Sequence, residues 1–103
     1  MEWSAETRGQ LLRAIFGKEV VGIVPEEVWE EVLATLQPRQ RLAIELRFRD
    51  KLTLARAAPL MPRQDGGQGV TKERVRQMET KALRRCRHPI RSSKLKPYMK
   101  GAM

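Results

Sequence analysis

Apolar residues recur at helical spacing along most of the chain, and no stretch holds the strict alternation of a paired strand. Ser4 stands before a segment in which Leu11, Leu12, Ile15 and Phe16 form an apolar stripe and Gly17 offers a stop, predicting a first helix to about Phe16. GKEVVGIV, residues 17–24, is β-flavoured but short and partnerless, and reads as an extended linker. Pro25 then opens a second helix, with Glu26 and Glu27 at the positive end of its dipole and Val28, Trp29, Val32, Leu33 and Leu36 as its buried side. Gln37-Pro38 breaks it. The third helix, RQRLAIELRFRD, carries one strip of Leu42, Ala43 and Leu46 and another of Ile44 and Phe48, a pattern that predicts burial against more than one neighbour. Thr53 caps a short fourth helix, LARAAPLM, which Pro59 interrupts by removing a backbone donor. PRQDGGQG, residues 62–69, is a loop.

The fifth helix lies in VTKERVRQMETKALRRCRHP, residues 70–89, and is the most strongly patterned element. Thr71 is its N-cap, and Val70 and Val75 occupy the two positions of a hydrophobic staple. Val75, Met78, Ala82 and Cys86, joined by Leu83, make one apolar side, while Arg74, Arg76, Gln77, Lys81, Arg84 and Arg85 surround the rest. The residue before a proline is pushed out of helical geometry, so His88 ends the helix before Pro89. Beyond it the sequence predicts at most a further turn around Leu95 and otherwise a mobile tail.

Charge sharpens this picture. Residues 1–70 hold ten basic and ten acidic side chains, whereas residues 71–103 hold eleven basic and two acidic, which accounts for the whole net charge of +9. Such asymmetry points to a polyanion at the C-terminal end: DNA, RNA or an anionic membrane surface. At 103 residues the chain has room for one modest core. No apolar run suggests a membrane span, the N-terminal residues lack a signal-peptide core, and the single Cys86 leaves no internal disulfide, all of which fit a cytoplasmic protein.

A short helix, a turn and a longer helix compose a helix-turn-helix, whose second helix lies in the major groove. The predicted fold is therefore all-α: a small helical bundle with a C-terminal helix-turn-helix, of the winged-helix-like DNA-binding class without a clear wing. Its predicted divisions are an N-terminal amphipathic helix and linker over 1–24, the helix-turn-helix domain over 25–91, and a basic tail over 92–103. Covering the small core is the simpler role for the N-terminal helix; a partner surface is the other. Lys72, Glu73, Arg76 and Gln77 occupy the first turns of the fifth helix and cover the chemistry of base reading: Arg or Lys to guanine, Gln to adenine, Glu to the cytosine amino group. Pattern alone leaves RNA, membranes and calmodulin-like partners open.

The order of residues narrows the choice. VTKERVRQMETKALRRCRHPIRS closely resembles the end of region 4 in sigma-70-family RNA polymerase sigma factors, where the recurring pattern is V-T-R-E-R-I-R-Q-I-E-x-K-A-L-R-K-L-R-H-P-x-R-S. Upstream, VLATLQPRQRLAIELRFR is similar to the helices that precede it, and the resemblance runs from about Val32 to Leu95. It implies that Lys72, Glu73, Arg76 and Gln77 read the bases of a −35-type promoter element, with Thr71 and Arg74 on the DNA backbone. Lys81 and Arg84 match a basic patch offered to activators bound upstream. Ile44, Leu46, Phe48 and Leu54 match an apolar groove that grips the flap of the polymerase β subunit, although each one alone reads more simply as core. The implied partners are double-stranded DNA and core RNA polymerase, with a second sigma-like subunit or an activator beside them, and no membrane and no small-molecule substrate; the resemblance also implies a bacterial or phage protein associated with the nucleoid.

Three departures stand out. Nine residues separate Met61 from Thr71, a longer turn than the family uses; lengthening costs little closure entropy and leaves the recognition helix room to shift. Pro59, with Ala57 and Ala58, replaces a more polar helix. Lys72 stands where arginine is usual and loses the planar fork. Residues 1–31 supply no aromatic-rich segment of the kind that melts a −10 element, so the expectation is a region 4-like module that does not open a promoter alone. The rival is a polymerase-binding module, or a free-standing regulator, that has lost −35 reading. No catalysis, metal or cofactor is expected: Cys86 and His88 are each unique and diverge on a helix, and the family has leucine at the first and histidine at the second.

Overall fold

The structure, a computed structural model, describes residues 3–17 and 22–98. The linker reading of residues 17–24 therefore falls partly outside the described residues, as do residues 99–103. Helix α1 spans Ala5–Phe16, α2 Glu26–Ala34, α3 Pro38–Ile44, α4 Leu54–Ala57, α5 Lys72–Cys86 and α6 Pro89–Leu95. Among the described residues no strand forms, and the one β feature is an isolated antiparallel bridge between Pro62 and Gln68.

Local chemistry sets most of the boundaries. Ser4 caps α1, its Oγ accepting the Thr7 N–H at 3.1 Å, and Gly17 closes it in the left-handed conformation (φ 67), its N–H reaching the Arg13 carbonyl at 2.7 Å. Pro38 takes the first position of α3, where its missing N–H costs nothing. The expected third helix does not continue as one α-helix: Glu45–Arg49 adopt a π-helical turn, in which the Asp50 N–H bonds the Glu45 carbonyl at 2.9 Å. Lys51 ends it with φ 57, which lets the Leu52 N–H return to the Leu46 carbonyl at 2.9 Å. Thr53 caps α4 as expected, and at Ala58–Leu60 the chain tightens into a 3₁₀ turn around Pro59.

Two apolar cores result among the described residues. The first gathers Leu11, Leu12 and Ile15 of α1, Trp29, Val32 and Leu33 of α2, Ile44, Ala82, Cys86 and Leu95, with Trp3 stacked on Trp29 at 6.4 Å between ring centroids. The second gathers Ala43, Leu46, Ala57, Ala58, Met61, Val75 and Met78 beneath the helix-turn-helix. The two strips on the third helix serve one core each: Ile44 and Phe48 face the first, and Leu42, Ala43 and Leu46 face the second. Helix α5 crosses both, giving Val75 and Met78 to one and Ala82 and Cys86 to the other. It is consequently anchored along its whole length.

Helix α1 packs into the first core, the simpler of the two roles the sequence left open for it. Two sequence expectations change here. Residues 92–98, read as tail, are helical: Ser92 and Leu95 are buried, and Arg91 donates to the Thr35 hydroxyl at 2.6 Å while Lys94 pairs with Glu31 at 2.8 Å, fastening α6 across α2. The reason is that Leu95 completes the apolar floor between α2 and α5, a tertiary contact invisible to local pattern. The long turn is tied back rather than loose, because the Gly69 N–H bonds the Met61 carbonyl at 2.8 Å and the Val70 N–H bonds the Ala58 carbonyl at 2.9 Å.

Candidate nucleic-acid interface

Thr71 enters α5 with an extended backbone and accepts the Arg74 N–H on its hydroxyl at 3.1 Å, while Val70 packs into the second core together with Val75. This fixes the start of the helix and its rotation about its own axis. Val75, Met78, Ala82 and Cys86 are buried, so the opposite side is forced outward. Lys72, Glu73, Arg76 and Gln77 are all exposed, side by side on the opening turns, which is the arrangement base reading requires. Arg74 is half-buried at the flank, its Nη1 donating to the Gln77 Oε1 at 3.3 Å.

Electrostatics organise this face before any partner arrives. Arg76 Nε donates to Glu73 Oε2 at 2.9 Å, with a second bond between Nη2 and Oε1. The Arg76 guanidinium holds the Glu73 carboxyl below the ordinary carboxylate range, and Glu73 in turn raises Arg76. Both side chains are more than half exposed, so the pair opens at little cost when a better partner is offered. Farther along, a shallow cleft of about 170 Å³ is lined by Arg76, Gln77, Thr80, Lys81 and Arg84. It joins two of the base-reading candidates to both residues of the expected activator patch.

The residues assigned to a polymerase groove behave differently. Ile44 and Leu46 are buried in separate cores, at 1% and 6% exposure, and so cannot line one open groove. Their strips point in two directions because α3 lies between two apolar layers. Phe48 and Leu54 keep some exposed surface, one beside each core.

Residues not singled out from sequence also border the face. Arg39 of α3 and Arg63 of the turn stand with Arg74 around an open cleft of about 450 Å³ at the N-terminal end of α5. Their signal was weak because residues 1–70 are neutral in total, which hides basic side chains that folding brings forward. Cys86 is buried, and burial pushes its thiol up to about 11, against a smaller opposing pull from Arg91 and Arg87.

Comparison with known proteins agrees with this geometry: the family described as "Sigma-70, region 4" matches residues 32–88. The chain belongs to the sigma-70 region 4 family. That match runs from within α2 to the end of α5 and leaves α1 and α6 outside it. Among similar proteins are the RNA polymerase sigma factor SigA of Clostridium acetobutylicum, 46% identical over 71 residues (67% of this chain, 18% of that protein), and SigA1 of Synechococcus elongatus, 44% identical over 84 residues (80% and 20%). RpoD of Neisseria gonorrhoeae is 38% identical over 73 residues, 71% of this chain and 11% of that protein. The region 4 chain thus spans a fifth or less of the length of these relatives. No solved structure matches it.

Proposed function

We propose that this region 4 chain is a DNA-binding module of transcription initiation that reads a −35-type promoter element through the opening turns of α5 and docks on the β flap of RNA polymerase. One observation carries the reading. Lys72, Glu73, Arg76 and Gln77 project together from a helix whose other side is locked into two cores. Side chains held this way meet base edges without first paying the entropy of ordering the rod beneath them. Thr71 and Arg74 set register on the backbone, and Lys81 with Arg84 forms the surface for a neighbouring activator. Docking on polymerase uses Phe48 and Leu54, the two assigned residues that retain exposed surface.

A second reading, polymerase docking without base recognition, draws on the mutual pairing of Glu73 with Arg76 and of Arg74 with Gln77. Exposed pairs of this kind contribute little, so the first reading is preferred. Two measurements test it: binding to a duplex carrying a −35-type element against a scrambled duplex, and capture of core polymerase with and without that duplex. Preference for the promoter duplex together with capture of polymerase is expected. Capture without preference selects the second reading, and absence of both overturns the proposal.

A further inference from the structure

The turn inside the helix-turn-helix is a built structure with a cation on it. The Arg63 N–H bonds the Gly67 carbonyl at 2.9 Å, the Gly66 N–H returns to the Arg63 carbonyl at 3.2 Å, and Pro62 and Gln68 bridge at the base. Asp65 braces the tip: its Oδ1 accepts the Gly67 N–H at 2.8 Å and the Arg63 Nε–H at 3.2 Å, and these bonds hold its carboxyl below the usual range. The Arg63 guanidinium lies across Gly67, in space that a Cβ there would occupy. From the other side, Arg39 Nε donates to the Pro62 carbonyl at 3.0 Å and ties the turn to α3.

The result is a line of arginines in which Arg63 is partly offset by Asp65, on which its Nε rests at 3.2 Å. Arg63, Arg39 and Arg74 border the cleft of about 450 Å³ at the start of α5, and a smaller cleft of about 120 Å³, lined in part by Arg39, Gln64, Arg74 and Lys81, continues it along the helix flank. No acidic residue lines either cleft among the described residues. An open, elongated basic track beside a groove-reading helix fits a linear polyanion better than an isolated small anion, and arginine forks suit phosphate oxygens.

Resting on the proposed DNA reading, we infer that the 62–70 turn is a second DNA contact, in which Arg63, set beside Arg39 and Arg74, holds a backbone phosphate of the strand passing the N-terminal end of α5. The turn adds affinity and footprint without adding sequence preference, because phosphates are the same at every base pair.

The test compares Arg63→Gln with Arg13→Gln, which removes the same charge from an exposed position on α1, on −35-type and scrambled duplexes as KCl rises from about 50 to about 200 mM. Arg63→Gln is expected to weaken both duplexes alike, roughly three- to tenfold at the lowest salt, and to reduce the salt slope by about one, while Arg13→Gln does neither. Ethylation interference on the promoter duplex is expected to show one phosphate that matters to the unaltered chain and not to Arg63→Gln. Equal affinities and slopes for the two variants would overturn this inference while leaving base reading intact. Loss of promoter preference in the unaltered chain, with the Arg63 effect retained, would instead defeat the proposed reading and spare the turn's phosphate contact.

Discussion

Single residues in this molecule are governed by whether they face a core or the solvent, and Cys86 shows the consequence most directly. Buried between α1, α2 and α6, its thiol is pushed from an ordinary value near 9.0 to about 11. Between those values the unfolded chain gives up this proton and the folded chain keeps it, so stability falls as pH rises through that interval. Denaturant titrations across it are expected to show a decline that is shallower in Cys86→Ala; equal slopes would contradict the burial account. In the native state the thiol should also resist alkylation until the protein unfolds. The sequence already marked Cys86 as a small core side chain, because it continues the Val75, Met78, Ala82 stripe. Periodicity also put Ile44 and Leu46 on separate buried strips of the third helix, whereas which helices would cover each strip depends on tertiary packing that periodicity does not carry.

At the scale of elements, the caps were legible and the tertiary ties were not. Ser4, Gly17, Thr53 and Thr71 announce helix ends through chemistry confined to a few neighbouring residues. The π turn at Glu45–Arg49, the 62–70 turn and α6 each add to their local bonds a tie to a group far away in sequence. One such tie joins Arg47 to Glu79 of α5 at 3.3 Å, and Arg47 also donates to the Leu52 carbonyl at 2.7 Å. Glu79→Ala leaves the half-buried Arg47 guanidinium short of a partner, and a loss of about 1–2 kcal/mol is expected in urea unfolding. In the turn, Gly69 sits at φ 93, a conformation L side chains rarely adopt, so Gly69→Ala should cost about 1–2 kcal/mol and raise amide exchange at Val70 and Thr71. Unchanged exchange there would mean the turn does not hold the start of α5.

For the whole molecule, the decisive feature is that α5 belongs to both cores, so the N-terminal bundle and the helix-turn-helix cannot loosen independently. Tryptophan fluorescence reports the first core through Trp3 and Trp29, and helical circular dichroism reports all elements; the two are expected to follow one coincident unfolding transition. Trp29→Ala, a truncation in the bundle, should destabilise the chain by about 3–5 kcal/mol and move both signals together. Two acids of α2 are paired with neighbouring cations, Glu30 with Arg41 and Glu31 with Lys94, both at 2.8 Å. The C-terminal excess of charge was plain in the sequence, whereas the contribution of Arg39 and Arg63 emerged only when folding placed them beside Arg74. The claim that the opening turns of α5 read DNA is tested most directly by measuring the affinity of Gln77→Ala and Glu73→Ala for −35-type and scrambled duplexes at one fixed salt concentration. Each variant is predicted to lose roughly five- to a hundredfold of its preference while retaining affinity for the scrambled duplex. Unaltered preference in both would contradict the account.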